Sequence, residues 1–136
     1  MGRVFFNTRK NVHALDGAYT MLASDSGKIF MLSATGGTVA ITLLPAADLV
    51  EGWHCKFITK EDTPSNAITI GAGSAIIDMV MKDPGGNLSN STAGTAVSNI
   101  IVGATSTQGD MINLFTDGTT WYAECLSGIN DAITTS

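Results

Sequence analysis

Asp117-Gly118 sits between two β-prone runs, Met111-Ile-Asn-Leu-Phe-Thr116 and Trp121-Tyr-Ala-Glu-Cys-Leu126. Asp-Gly in that setting signals a hairpin, because both residues tolerate the positive φ of a type I′ turn. The turn also fixes the register, since a slip of one residue would exchange core and solvent faces. On the first strand Ile112 and Leu114 share one face, and Met111, Asn113 and Phe115 share the other. On the second, Trp121, Ala123 and Cys125 alternate with Tyr122, Glu124 and Leu126. The remainder of the chain reads as further strands added to this hairpin.

The 136 residues suit one domain that buries enough surface to fold without metal or disulfide. Gly, Thr, Ser and Ala are abundant and Lys and Arg scarce, a mixture that favours strands and turns over a helical bundle. The net charge of −5 leaves no electrostatic footprint for nucleic acid. Cys55 and Cys125 both fall in apolar strand phases and read as buried reduced thiols, with a disulfide as the alternative in an oxidising compartment. Met1-Gly-Arg-Val-Phe-Phe6 is too short an apolar run for a signal peptide, and no run approaches the ~20 residues of a membrane span. Phe6 stands where a myristoylation motif needs Ser or Thr. The triplets starting at Asn87 and Asn90 read as chance in a polar loop.

Residues 3–10 hold Arg3, Arg9 and Lys10 beside Val4, Phe5 and Phe6, a basic and aromatic segment ahead of an acidic body. Such a segment serves equally as an arm that docks on a neighbouring surface or as a first strand on the domain's own sheet. Strands are expected over 18–23, 28–33, 38–44, 53–60, 67–70, 74–81 and 98–103, before the hairpin. Val39, Ile41 and Leu43 point in, and Pro45 ends that strand. One helical turn fits in 46–52. Trp53, Cys55 and Phe57 lie opposite His54, Lys56, Ile58 and Lys60. The stretch 82–97 is a long polar loop, a kind commonly functional or disordered. Residues 129–136 read as a polar, extended tail. Eight to ten short strands with almost no helix point to an all-β fold, an antiparallel β-sandwich of jelly-roll-like type with an extended N-terminal arm. The arm spans 1–17, the sandwich 18–126 and the C-terminal tail 127–136.

The sequence brings no catalytic constellation together. Asp25-Ser26-Gly27 matches the aspartic-protease triplet, but that chemistry needs two facing aspartates in a dry cleft, and these are ordinary turn residues. Gly71-Ala-Gly73 has Ile76 where a dinucleotide loop needs Gly, and a strand rather than a helix follows. His13 and His54 are the only imidazoles, too few for a histidine-rich metal centre, and the acidic residues show no paired spacing. No cofactor is expected. Trp53 and Trp121 fit the core phase, and Tyr122 is the aromatic expected partly outward, where it could stack on a sugar.

The order of these pieces resembles a family of small β-domains in tailed-phage virions. The resemblance runs from Tyr19-Thr-Met-Leu-Ala-Ser-Asp-Ser-Gly-Lys28 through Thr38-Val-Ala-Ile-Thr-Leu-Leu-Pro-Ala-Ala47 and Gly52-Trp-His-Cys-Lys-Phe57. It continues with Ile68-Thr-Ile70 and ends on Gly109-Asp-Met-Ile112 with Asp117-Gly-Thr-Thr-Trp-Tyr122. It covers most of 19–124, and no matching pattern is seen in 82–97. Similar domains occur in head decoration (cement) proteins and in tail-fibre or tailspike modules. The resemblance implies a non-enzymatic virion protein, assembled in the bacterial host cytoplasm and bound to the outer capsid surface. It implies the major capsid protein as partner and a homo-oligomer, a trimer ahead of a dimer. Arg3, Val4, Phe5, Phe6, Arg9 and Lys10 are the expected capsid-binding residues. The alternative is a receptor- or glycan-binding tail module using Tyr122 and the 82–97 loop.

Overall fold

A computed structural model describes residues 11–62, 64–72, 77–82, 84 and 96–136 of the chain. Eleven strands lie among them: β1 (Val12–Leu15), β2 (Tyr19–Thr20), β3 (Ile29–Leu32), β4 (Val39–Thr42), β5 (His54–Thr59), β6 (Ile68–Gly71), β7 (Ile77–Lys82), β8 (Asn99–Val102), β9 (Met111–Thr116), β10 (Trp121–Leu126) and β11 (Ile133–Thr135). Two single 3₁₀ turns, Ala23–Asp25 and Ala46–Asp48, are the helical elements described. The protein is all-β, as its composition requires.

The strands form a six-stranded sheet, ordered β1-β3-β5-β9-β10-β7, and a five-stranded sheet, ordered β11-β8-β6-β4-β2. From β1 to β8 the chain changes sheet at every step. Through β6 each return lays a strand parallel to its predecessor in that sheet, so β1, β3 and β5 run parallel, as do β2, β4 and β6. Five of the nine described pairings are parallel, which corrects the expected antiparallel sandwich to two mixed sheets. The physical reason lies in the connections. Only β9 and β10 are joined by a tight turn within one sheet, the connection that obliges antiparallel pairing. The other connections cross to the second sheet and return, which allows either direction: parallel through β6, and antiparallel at β5–β9, β6–β8 and β8–β11.

Alternation sets the core. Phe30 and Leu32 on β3, Cys55 and Phe57 on β5, Ile112 and Leu114 on β9, and Trp121, Ala123 and Cys125 on β10 are buried from one sheet. Val39 and Ile41 on β4, Ile68 and Ile70 on β6, Ile100 and Val102 on β8, and Ile133 on β11 are buried from the other, within the same cluster. The outward positions of β3, Ile29 and Met31, are half-buried. Trp53 and Trp121 meet edge to face at 5.3 Å and 89°. Their indole N–H groups donate to Ala23 O and Leu44 O, each at 3.0 Å, so neither buries an unpaired donor. Both cysteines are free and buried.

Three expectations shift. The strand expected over 18–23 shortens to β2, because the Asp25 carboxylate accepts the Leu22 N–H at 2.8 Å and winds the chain into a 3₁₀ turn. The hairpin loop spans four residues, with Thr116 paired to Trp121. Among the loop residues only Gly118 has a positive φ, at 86°, so the turn is not type I′. Asp117 Oδ1 instead accepts the N–H groups of Thr119 and Thr120 at 2.8 and 2.7 Å. The boundaries of the domain move outward as well. Residues 12–15, expected in the arm, form the edge strand β1, and the expected tail ends in β11, paired with β8.

Candidate binding face

The outward faces of the two sheets differ in chemistry. On the five-stranded sheet they carry Thr20, Ala40, Thr42, Thr69, Gly71, Asn99, Ile101 and Thr134, mostly small or polar. Gly71 has a local cause: a Cβ there would lie 2.6 Å from Asn99 Oδ1. The Asn99 amide crosses that space and donates to Ser136 Oγ at 3.2 Å.

The six-stranded sheet presents larger groups. Its register places them in three rows across β5, β9 and β10: His54, Phe115 and Tyr122; Lys56, Asn113 and Glu124; Ile58, Met111 and Leu126. Ile29 and Met31 on β3 extend the second and third rows. Phe115 is 50% exposed, whereas Trp53, Trp121, Phe30 and Phe57 are each at most 1% exposed. It stacks on Tyr122 at 5.0 Å and 18°. The Tyr122 hydroxyl donates to Asp117 Oδ2 at 3.1 Å, so the hairpin loop braces the aromatic pair. The N–H groups of Thr120 and Thr119, and then the Tyr122 hydroxyl, hold the Asp117 carboxyl below its usual range. The same hydrogen bond raises the Tyr122 phenol. Asn113 Nδ2 donates to Glu124 Oε2 at 3.1 Å. A shallow groove of about 260 Å³ runs between Lys28 and Ile29 on one side and Asn113 and Phe115 on the other, over His54 and Lys56.

Tyr122 therefore stands on the outer face, as its alternation requires. Phe115, Lys56 and Glu124 share that face but were not singled out from the sequence. Their outward phase was legible, and their adjacency depends on strand order. Arg3, Val4, Phe5, Phe6, Arg9 and Lys10 lie outside the described residues, as does most of 82–97.

The remaining candidates are structural. Asp25 is fully buried and accepts from Tyr19 Oη at 3.0 Å, Leu22 N and Lys28 Nζ at 2.7 Å. Burial alone would raise its pKa, but the donors from Lys28, Leu22 and Tyr19 outweigh burial and lower it. Such a carboxylate is committed to its turn. Burial raises the Cys55 thiol and pushes Cys125 up to about 12, so neither is a ready nucleophile. The His13 ring lies 5.8 Å from that of Phe30, while His54 faces outward and its Nδ1 lies 3.0 Å from Gly52 O. Among the described residues no group of three His, Cys, Asp or Glu side chains is placed to hold a metal ion, and no helix is long and apolar enough to cross a membrane. Comparison with family models, with curated proteins and with solved structures finds no match.

Proposed function

We propose that the chain is a decoration (cement) protein of a tailed-phage head, a binding subunit without catalysis that staples neighbouring major capsid proteins from outside. Two lines support this. The residue pattern over 19–124 resembles such virion β-domains. The observation that carries the reading is the contrast between a polar outer face on one sheet and, on the other, a face with Phe115, Ile58, Met111 and Leu126 outward. That contrast suits a subunit that associates through one side. On this reading the two sheets are a jelly-roll-like sandwich in which β1, β3 and β5 run parallel in one sheet and β2, β4 and β6 in the other.

The mechanism is additive binding. Arg3, Val4, Phe5, Phe6, Arg9 and Lys10 form a capsid-facing arm on each subunit. An oligomer presents several arms at once, and effective concentration converts weak single contacts into tight attachment. Whatever binds only the expanded shell stabilises that state by mass action. Deleting residues 2–10 should abolish co-sedimentation with purified shells and leave the circular dichroism spectrum unchanged. Normal shell binding by the shortened chain would overturn the arm. The copy number in purified particles tests the wider reading: a number comparable with the major shell protein supports it.

The stacked Phe115–Tyr122 pair favours a second reading, a receptor- or glycan-binding module of the tail. Flat aromatic pairs offer an apolar surface to a sugar ring. A copy number as low as that of a tail component, with binding to host cells, would favour it.

A further inference from the structure

We infer that the outer face of the six-stranded sheet pairs with the same face of a second copy, about a two-fold axis running along β9. The order of side chains across β5, β9 and β10 carries this pairing. A two-fold axis in the interface, parallel to β9, lays β9 on itself and brings β5 of each copy over β10 of the other. The rows keep their height. Lys56 then meets Glu124, Ile58 meets Leu126, and His54 meets Tyr122. Met111 and Phe115 each meet their own equivalents on the axis.

Every match is chemically apt. The Lys56 ammonium has no ion-pair or hydrogen-bond partner among the described residues, although it stands in the middle of the face. Glu124 is exposed, and only its Oε2 is engaged, by Asn113. Each supplies what the other lacks, twice per dimer. Apolar groups oppose apolar groups in the row of Ile58, Met111 and Leu126; in the other flanking row the exposed Phe115 is covered and the His54 ring faces the Tyr122 ring. No other axis along a strand of this trio pairs Lys56 with an acidic residue, because the charges stand one strand to either side of β9.

Sheet geometry allows the match. Facing sheets pack about 10 Å apart with strands rotated by about 30°, which shifts residues one strand from the axis by only ~2–3 Å. Lys and Glu side chains span that error. Five strands overlap, with β1 left beyond the edge of the other copy, and cover roughly 400 Å² per copy, or roughly 800 Å² in all, the size of a weak, reversible interface. The pairing requires no shell, so it is measured on the isolated full-length chain, and its failure is distinct from failure of shell binding.

The test is the solution mass by analytical ultracentrifugation for wild type, Lys56→Glu, Glu124→Lys and the double reversal, with thermal melts to confirm folding. The wild type is expected to be a dimer. Each single reversal sets like charges opposite one another and should weaken dimerisation about tenfold or more. The double reversal should restore it. Phe115→Asp should also give monomers. A monomeric or trimeric wild type overturns the inference. So do folded single reversals with unchanged dimer affinity, or a folded double reversal as weak as the singles.

Discussion

Three aspartates do the local shaping, each by taking backbone N–H groups that turns leave unpaired. Asp25 takes Leu22 N, Asp117 takes Thr119 N and Thr120 N, and Asp110 takes Thr107 N at 2.9 Å and Gly128 N at 2.7 Å. Asp110 also accepts from Thr107 Oγ1 and Ser127 Oγ, so one carboxylate ties the loop before β9 to the turn after β10. Asp25 and Asp110 are buried, which makes their partners obligatory. Asp25→Ala should cost about 3 kcal/mol, because it strands the Lys28 ammonium and the Leu22 N–H together. Urea unfolding at neutral pH checks this, and a loss under ~1 kcal/mol would mean that water replaces the carboxylate. The pH dependence has a definite sign. The folded-state pKa of Asp25 is depressed, so its contribution is fully present above the unfolded value of about 3.9 and is lost as pH falls through the lower folded value. The stability gap between wild type and Asp25→Ala should therefore be constant from about pH 5 to 8 and close below about pH 4.

At the level of strands, the two cysteines give the clearest test. Cys55 on β5 and Cys125 on β10 point into the core, and burial raises both thiols. Neither should react with an aromatic disulfide reagent at pH 8 until the protein unfolds, whereupon two thiols per chain should titrate. Rapid labelling of the folded protein would show that these strands open locally. Inward and outward phase along β4, β5, β9 and β10 was legible from alternation alone, down to Trp53, Cys55 and Phe57 on one side and His54, Lys56 and Ile58 on the other. Strand order was not. A period of two is the same for parallel and antiparallel partners, so nothing in Ile29 or Val39 announces a parallel neighbour. The β2 segment misled because Tyr19-Thr-Met-Leu is β-prone, while the force that bends it comes from Asp25, a few residues on. The hairpin misled in a similar way: Asp117 uses its carboxylate where a type I′ turn would use its positive φ. The candidate face was half legible. Lys56 and Glu124 were outward in the sequence, but that Asn113 stands between them follows only from the β5–β9–β10 order.

For the molecule as a whole, the closing strand matters more than its three residues suggest. The first six strands form a parallel staircase, and such pairings bring together residues far apart in the chain. The five-stranded sheet then ends at β2, too short to template another chain, and at β11, which covers β8. β11 is held by Ile133, 1% exposed, by its ladder to Ile100–Val102, and by Ser136 O, which accepts from Ser98 N at 3.1 Å and Asn99 N at 3.0 Å. Gly103 N adds a bond to Ala132 O at 2.7 Å. Removing residues 132–136 exposes the Ile133 site and leaves a row of β8 backbone groups unpaired. The expected cost is about 3–5 kcal/mol, from one buried isoleucine and several ladder bonds. Domains of this size are stable by only about 5–15 kcal/mol, so the shortened chain stands near its unfolding threshold. The open β8 edge adds a kinetic hazard, since Asn99-Ile-Ile-Val102 is apolar and β-branched. A lower urea midpoint together with rising light scattering at 37 °C is the expected pair of results. An unchanged midpoint would mean that the two sheets close without β11, and that the staircase and hairpin alone carry the fold.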